Sequence, residues 1–131
     1  MNKVLIVEGK ATIRHALQQS LSLHCEVCVL REATNSDDAL KLIREWHPDV
    51  VFIDIKIPGR MDGLAVCREV KNAPEISGTL IVMLSDISEL ALLKTGEIAG
   101  ADACITKPFL PSQISDIVTD LIGKRVAETV N

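Results

Sequence analysis

Four polar side chains with complementary chemistry come directly after short apolar stretches of the chain. Glu8 follows KVLIV, Asp54 follows VVFI, Ser85 follows LIVML, and Lys107 follows ACIT. A carboxylate can accept a phosphoryl group as an acyl phosphate, and a second carboxylate can bind Mg²⁺. A hydroxyl and an amine can hydrogen-bond to phosphoryl oxygens. Together these residue types predict phosphoryl transfer to Asp54, whereas a lone aspartate at a strand end would be a turn or capping residue.

Each of these residues has an expected role at such a site. Asp54 is the predicted phosphoacceptor, and Ser85 and Lys107 are the predicted phosphoryl contacts. Glu8 is the predicted acid of the pocket. The metal ligands are predicted to be Glu8, Asp54 and the backbone carbonyl of Lys56. Oxygen ligands of this kind suit Mg²⁺, which we expect as the cofactor.

The elements that must position these residues alternate along the chain. Apolar runs of four to six residues are too short for helices and predict strands buried on both faces. The pattern predicts strands at 3–7, 26–31, 49–54, 79–84 and 102–106, and helices at 11–23, 36–46, 64–72, 88–98 and 111–122. Strict alternation predicts an α/β fold, a doubly wound parallel sheet with helices on both faces. The carboxyl ends of its strands meet at one edge.

Residues at the predicted helix ends are typical caps. We expect Ser36 to be the N-cap of the second helix, with two acids in its first turn. His47 should end that helix, because a residue before proline (Pro48) avoids the right-handed helical conformation. Ser88 is the expected cap of the fourth helix, and Gly100 its expected stop.

Length and composition are those of one ordinary globular domain. The chain has 131 residues, of which 47% are hydrophobic and 24% charged, and its formal net charge is −4. Because acids are in excess and aromatic residues are few, we do not expect a nucleic-acid-binding surface. No apolar run approaches the roughly 20 residues of a membrane span, so we expect no membrane partner and a cytoplasmic protein. We expect residues 1–123 to form the domain, and residues 124–131 to be a polar tail or the start of a linker.

The cysteines do not predict a disulfide or metal site. The four residues, Cys25, Cys28, Cys67 and Cys104, are too few and too scattered for a disulfide framework. Cys25 and Cys28 form a CxxC motif, but on a strand-like segment positions three apart point to opposite faces. No second pair completes a zinc site. We therefore expect the cysteines to be small buried hydrophobic residues in a reducing cytoplasm.

Four segments around the candidate residues occur together in one order. They are KVLIVEGKATIR, PDVVFIDIKIPGRMDG, LIVMLSD and GADACITKPF. With these segments, the chain from Lys3 to about Ile122 resembles the receiver domain of bacterial response regulators, the phospho-accepting half of two-component signalling. The resemblance implies a flavodoxin-like strand order 2-1-3-4-5 and a cis Lys107–Pro108 bond. It also implies phosphorylation of Asp54 by a sensor histidine kinase.

The chain departs from the family pattern at three positions. Gly9 stands where the family has a second acid that binds the metal directly. A carboxylate about 4 Å from a cation contributes up to about 4 kcal/mol at an effective dielectric of 20, and losing half of that weakens Mg²⁺ binding more than tenfold. Lys56 is either a solvated loop lysine or a cation that replaces part of the metal charge, and Lys10 is a weaker candidate for that role. Cys104 stands at the switch position, where the family has a Tyr or Phe.

The leading hypothesis is a phosphorylation-controlled switch. Phosphorylation would change a protein-contact surface formed by the fourth predicted helix, the fifth strand and the last helix. On that surface Leu90, Leu92 and Leu93 are either contact residues or core residues. A downstream protein, a missing output domain or a second copy of the chain would bind there. As a regulatory domain, the chain would be no enzyme beyond self-catalysed phosphoryl transfer and autodephosphorylation.

Two other functions remain as alternatives. A phosphorylation-independent pseudo-receiver would keep the fold as an interaction module and would bind Mg²⁺ weakly, as Gly9 and Cys104 suggest. A flavodoxin-like cofactor binder is disfavoured, because residues 8–12 lack a Gly/Ser/Thr-rich phosphate-binding sequence. No Tyr or Trp is placed to stack on a flavin either.

Overall fold

The computed structural model describes residues 2–24, 28–86, 91, 94 and 99–130 of the chain. Strands and helices alternate along it. They are β1 (Asn2–Val7), α1 (Ala11–His24), β2 (Cys28–Ala33), α2 (Ser36–Trp46), β3 (Val50–Asp54), α3 (Gly63–Asn72), β4 (Leu80–Ser85), β5 (Ala103–Thr106) and α4 (Pro111–Val130). In the described part of the chain, every helix is too short or too polar to span a lipid bilayer.

Most of the predicted fourth helix lies outside the described residues. Within that segment Ala91 and Lys94 are described and are helical, as is Ala99 directly after it. Gly100, the predicted stop, has a positive φ of 84°, as expected of a glycine that ends a helix. The other predictions that fall outside the description concern Ser88, Leu90, Leu92, Leu93 and Cys25.

The strands form one five-stranded parallel sheet in the order β2-β1-β3-β4-β5. The predicted α/β fold and strand order are therefore confirmed. All five residues of β3 are buried, as expected for a continuous apolar strand covered by helices on both faces. β2 continues to Ala33, two residues beyond its predicted end, because Glu32 and Ala33 pair with Ile6 and Val7 of β1.

Helices on the two faces of the sheet enclose two hydrophobic cores. The core beneath α1 and α4 includes Leu17, Leu21, Ile114 and Val118 together with Val4 and Ile6 of β1. The core beneath α2 and α3 includes Leu40, Ile43, Val66 and Val70 together with Leu5 and Val7 of β1. Successive residues of a strand point to opposite faces, so each apolar strand contributes to both cores.

The first turn of α2 differs from its prediction. The N-cap is Asn35, whose side chain accepts a hydrogen bond from the N–H of Asp38 at 2.8 Å. The prediction of Ser36 was wrong by one residue. Both residue types are good caps, but it is Asn35 that has the extended backbone of a cap (φ −148°, ψ 166°). Ser36 is instead the first helical residue, and its side chain contacts the loop after β3.

The other end of α2 lies at the edge of the sheet where the strands begin. His47 leaves the helix with a φ of 52°, so the helix ends before Pro48 as predicted. The Lys3 ammonium donates to the carbonyl of Trp46 at 2.9 Å and lies 5.7 Å from the centroid of its ring. The Arg31 guanidinium lies 4.8 Å from the same ring. Two cations therefore cover the single tryptophan at this edge.

A second polar network at the same edge joins α3, β4 and β5. The Lys71 ammonium donates to the carbonyl of Thr79 at 2.7 Å and to the carboxylate of Asp102 at 2.8 Å. The same carboxylate oxygen of Asp102 accepts a hydrogen bond from the N–H of Ile81 at 2.8 Å. These contacts fix the start of β4 beside the turn that leads into β5.

The last helix is longer than predicted. We expected α4 to end near Ile122, but it continues to Val130. Gly123 does not stop the helix, because it does not adopt the left-handed backbone conformation with which a glycine ends a helix. Lys, Arg, Ala and Glu, which favour helices, make up half of the residues that follow. The role of residues 124–131 as a tail or linker stays a prediction.

Candidate functional site

Three of the predicted site residues meet at the carboxyl edge of the sheet. Glu8 follows β1, Asp54 ends β3, and Lys107 follows β5. The Lys107 ammonium donates to Oδ2 of Asp54 and lies 3.4 Å from Oε2 of Glu8. Glu8 is 1% exposed and Asp54 4%. We call these three side chains the acid–lysine cluster.

Backbone N–H groups hold the remaining carboxylate oxygens of the cluster. Oε1 of Glu8 accepts a hydrogen bond from the N–H of Lys10 at 3.1 Å. Oδ1 of Asp54 accepts one from the N–H of Lys56 at 2.9 Å. In each carboxylate, one oxygen accepts a hydrogen bond from the backbone of its own loop and the other contacts the Lys107 ammonium. The residues immediately after the strands therefore set the orientation of both acids.

The cluster separates the protonation behaviour of its two acids. Burial, followed by hydrogen bonding and charge repulsion from Asp54, raises the pKa of Glu8 above its ordinary value. Burial also acts to raise the pKa of Asp54, but hydrogen bonds with Glu8, Lys107 and the N–H of Lys56 outweigh it and lower that pKa. Burial acts to lower the pKa of Lys107, yet its contacts with the two acids raise it. Of the two acids, Asp54 is therefore the one whose ionised form the surroundings favour.

Arg14 of α1 holds the loop that carries Glu8. Its guanidinium donates to the carbonyl of Glu8 at 2.9 Å and to that of Gly9 at 3.4 Å. It also forms an ion pair with Glu32 of β2 at 3.3 Å, between side chains that are 17% and 34% exposed. Arg14 was not predicted from the sequence; its only signal is a basic residue in the first turn of a helix with an apolar pattern.

Ser85 and Cys104 lie in different surroundings. Ser85 is buried at the end of β4, pairs in register with Thr106, and accepts a hydrogen bond from the N–H of Lys107 at 2.8 Å on its carbonyl. Ser85 therefore adjoins the acid–lysine cluster. Cys104 is partly buried and pairs in register with Met83, packed against the core beneath α2 and α3. Its place is inside the domain, below the edge of the sheet where the acids meet.

The ammonium of Lys56 pairs with Asp86 rather than with Glu8 or Asp54. The ammonium lies 3.7 Å from the carboxylate of Asp86, and these side chains are 72% and 64% exposed. This position favours the alternative of a solvated loop lysine. Lys107 is the cation that contacts both Glu8 and Asp54.

The donor set of the pocket fits Mg²⁺. Glu8, Asp54 and the carbonyl of Lys56 would supply only oxygen atoms, and one or two carboxylates are the usual protein contribution to a Mg²⁺ site. Among the described residues no three acids, histidines or cysteines gather as a metal-binding group, in keeping with glycine at position 9. A Cβ at Gly9 would lie 3.4 Å from Pro58, at the short end of ordinary contact, so this position accepts a Cβ.

A cavity of about 390 Å³ opens beside the cluster. Its walls include the lysines Lys10 and Lys107 and the apolar residues Ile13, Pro108 and Phe109. The Lys107–Pro108 peptide bond on its wall is cis, as predicted. The wall also includes Asp86, so the cavity combines two cations and one acid with an apolar surface, and it adjoins the cluster through Lys107.

Comparison with known proteins identifies the family. Residues 4–119 match the family described as the response regulator receiver domain. The chemotaxis protein CheY of Halobacterium salinarum is 32% identical over 120 residues, which cover 92% of this chain and 96% of CheY. The transcriptional regulatory protein ResD of Bacillus subtilis is 35% identical over 127 residues, which cover 97% of this chain and 50% of ResD.

A solved structure gives the same result. The signal receiver domain of a signal transduction histidine kinase from Syntrophus aciditrophicus superposes with a TM-score of 0.84 at 26% identity, covering 95% of this chain and 92% of that domain. The chain spans about half the length of several of its curated relatives, ResD among them. The matched residues include β1 from Val4 onward, the other four strands and all three members of the acid–lysine cluster. The chain belongs to the response regulator receiver domain family.

Proposed function

We propose that this receiver domain is a phosphorylation-controlled switch whose phosphoacceptor is Asp54. Receiver domains are regulatory signalling domains that interact with histidine kinases and downstream effectors. The acid–lysine cluster is the observation that carries the proposal. It keeps one buried carboxylate ionised and in contact with a cation that can pair with a phosphoryl group.

The proposed reaction transfers a phosphoryl group from a phosphohistidine of a partner kinase. A carboxylate oxygen of Asp54 attacks the phosphorus atom, and a P–O bond forms while the P–N bond breaks. The electron pair of that bond stays on the imidazole nitrogen, which takes up a proton from solvent. The product is an acyl phosphate on Asp54, and Lys107 and the Ser85 hydroxyl contact its oxygens.

Receiver domains bind Mg²⁺ in an acidic pocket. Here Glu8, Asp54 and the carbonyl of Lys56 would hold the ion, which when bound neutralises charge on the transferring phosphoryl group. Lys107 contacts Asp54 and balances its charge in this structure. Because Gly9 contributes no carboxylate, we expect Mg²⁺ to bind this pocket more weakly than a pocket with a further acid.

The proposed output is a rearrangement around Lys107. Phosphorylation adds charge and bulk to Asp54, so its contact with Lys107 must change and the loop after β5 must move with it. Cys104 has no aromatic ring that could rotate as a switch. The loop after β5 and the end of β4 would therefore carry the conformational change. The adjacent cavity, lined by Lys10 and Phe109, is the proposed approach for the phosphodonor.

The test is intact-mass measurement after incubation with phosphoramidate, with and without Mg²⁺. We expect a gain of one phosphoryl mass that requires Mg²⁺ and is absent from Asp54→Asn. Asp62→Asn is the matched control, because Asp62 caps α3 by accepting a hydrogen bond from the N–H of Ala65 and an Asn cap can do the same. It should be phosphorylated like the wild type.

Other outcomes would contradict the proposal. No mass gain under any condition, from a folded protein, would leave the pseudo-receiver as the better account. A gain that persists in Asp54→Asn would place the phosphoacceptor elsewhere. A gain without Mg²⁺ would contradict the expected requirement for the ion.

A further inference from the structure

The first residue of α2 contacts the loop that follows Asp54. We call residues 55–62 the β3–α3 loop. Ser36 is fully buried at 0% exposure, and it contacts this loop through two groups. Its backbone N–H donates to the carbonyl of Pro58 at 2.9 Å, and its Oγ accepts a hydrogen bond from the N–H of Met61 at 3.1 Å. A helix and a loop distant in sequence are thereby joined by two hydrogen bonds.

Glycine at position 59 makes this close approach sterically feasible. Gly59 has a φ of +115°, and a Cβ on it would lie 2.2 Å from Oγ of Ser36. Such a distance is far inside van der Waals contact, so the loop is shaped around this hydroxyl. The nearby ion pair of Arg60 with Asp37 adds little, because these side chains are 87% and 49% exposed. The hydroxyl of Ser36 is the buried contact.

The same loop carries the groups that face the pocket. Its first part is fixed to the site, because the N–H of Lys56 donates to Oδ1 of Asp54 at 2.9 Å and the carbonyl of Ile55 accepts from the N–H of Gly63 at 2.8 Å. The carbonyl of Lys56, an expected metal ligand, lies two residues before the contact of Pro58 with Ser36. A shift of the loop at Pro58 would therefore reach Lys56 across a single residue.

We propose that Ser36 is a positioning residue for the site: through Pro58 and Met61 it holds the Lys56 peptide groups in place for Mg²⁺ binding and for phosphoryl transfer to Asp54. This inference rests on the proposed function. Hydrogen bonds behind the ligands of a metal site typically change affinity or activity by about 10–100-fold when removed. Removing the Ser36 hydroxyl deprives the N–H of Met61 of its partner and frees the loop at that point.

The experiment compares Ser36→Ala with Ser20→Ala in the whole chain. Ser20 is a matched control, because it is also buried at 3% exposure and its hydroxyl donates one hydrogen bond, to the carbonyl of Ala16 at 2.8 Å within α1. Mg²⁺ affinity is measured by calorimetry, phosphorylation by phosphoramidate is followed by mass, and hydrogen exchange is followed at the N–H groups of Lys56 and Met61. Ser36→Gly removes the same hydroxyl and replaces Ser36→Ala if that variant does not fold.

We expect Ser36→Ala to bind Mg²⁺ at least about tenfold more weakly, with faster exchange at Lys56 and Met61, while Ser20→Ala behaves as the wild type in both respects. Wild-type affinity and wild-type exchange at Lys56 in Ser36→Ala would overturn the inference. If the wild type itself neither binds Mg²⁺ nor is phosphorylated, the proposed function fails. Exchange at Lys56 then still decides whether Ser36 positions the loop.

Discussion

The two buried carboxylates at the carboxyl edge of the sheet behave as unlike residues. Glu8 and Asp54 both contact Lys107, but their pKa values move in opposite directions from their ordinary values. The pKa of Glu8 rises because burial and the neighbouring Asp54 oppose its charge, whereas the hydrogen bonds on Asp54 overcome the effect of burial. Pairs of acids with separated pKa values are typical of sites in which one acid must stay ionised.

The pH dependence of stability should reveal this separation. A raised pKa means that Glu8 stabilises the fold below its ordinary value of 4.5, and that this contribution is lost as the pH rises through its folded pKa. Asp54 has the opposite sign: its contribution is present above 3.8 and is lost as the pH falls through its lowered pKa. Glu8→Gln removes the first effect, and its amide N–H can still donate a hydrogen bond to Asp54 in place of the Glu8 carboxyl. We expect Glu8→Gln to gain free energy of unfolding relative to the wild type as the pH rises above 4.5, by at most about 1.4 kcal/mol per pH unit.

Urea unfolding at a series of pH values measures this difference. Glu75→Gln, a substitution at an exposed position in the turn before β4, is the control for loss of a carboxylate. A difference between Glu8→Gln and the wild type that stays constant from pH 4 to pH 8 would contradict the raised pKa.

Gly9 offers a test of how much charge the proposed Mg²⁺ site lacks. Gly9→Asp should strengthen Mg²⁺ binding more than tenfold, because half of the roughly 4 kcal/mol from one carboxylate near the ion suffices. The substitution is sterically acceptable, since its Cβ would lie 3.4 Å from Pro58. Calorimetric titration with Mg²⁺ gives the affinity. Gly123→Asp adds the same charge in open space on α4 and should leave the affinity unchanged; equal gains in both variants would mean a general charge effect.

At the scale of the elements, polar contacts at the two edges of the sheet have different tasks. The edge with the strand carboxyl ends carries the acid–lysine cluster and the loops that orient it. The opposite edge carries a structural network, in which Lys71 of α3 joins Thr79 to Asp102. Because this network lies at the far edge, it should affect stability without affecting the site.

Lys71→Met tests this division. The change leaves the carbonyl of Thr79, a buried residue, and the carboxylate of Asp102 without the ammonium, so we expect a loss of about 1–3 kcal/mol in the free energy of unfolding. Arg44→Met breaks the ion pair with Glu69, whose side chains are 46% and 36% exposed, and should cost less than about 1 kcal/mol. Urea unfolding compares the two. Equal losses, or weaker Mg²⁺ binding in Lys71→Met, would contradict the division between the edges.

At the scale of the whole molecule, the two cores on either side of the sheet bury reactive side chains and shield them from reagents in the solvent. Cys67 of α3 is such a group: it is fully buried, and its Sγ donates to the carbonyl of Ala99 at 3.4 Å. Burial, the largest influence, raises the pKa of its thiol to about 11. At pH 8 only about a thousandth of such thiols are ionised even before access is considered.

Alkylation of Cys67 should therefore report the opening of this core. We expect iodoacetamide at pH 8 to leave Cys67 unmodified in the folded protein, and to label it in step with urea unfolding. Peptide mapping by mass spectrometry separates this cysteine from the others. Labelling in native buffer at the rate of a free thiol would show that the core beneath α2 and α3 opens readily.

The strand ends could be predicted from sequence because parallel strands bring their carboxyl ends to one edge. That rule alone predicted the meeting of Glu8, Asp54 and Lys107. The contact of one ammonium with both acids could not be predicted, because it depends on side-chain rotamers rather than on residue spacing. The contact of Ser36 with the β3–α3 loop could not be predicted either. Asn35 and Ser36 are both good caps, and the loop that hydrogen-bonds to Ser36 lies more than twenty residues later in the chain.

The covering of Trp46 by Lys3 and Arg31 has an optical consequence. The protein has one tryptophan and no tyrosine, so its intrinsic fluorescence comes from a ring at the edge of the sheet remote from Asp54. The emission should report on the packing of β1 against the end of α2. It should hardly change when Mg²⁺ or a phosphoryl group binds. A fluorophore intended to report on the pocket should replace Phe109, which lies on the wall of the cavity with Lys107.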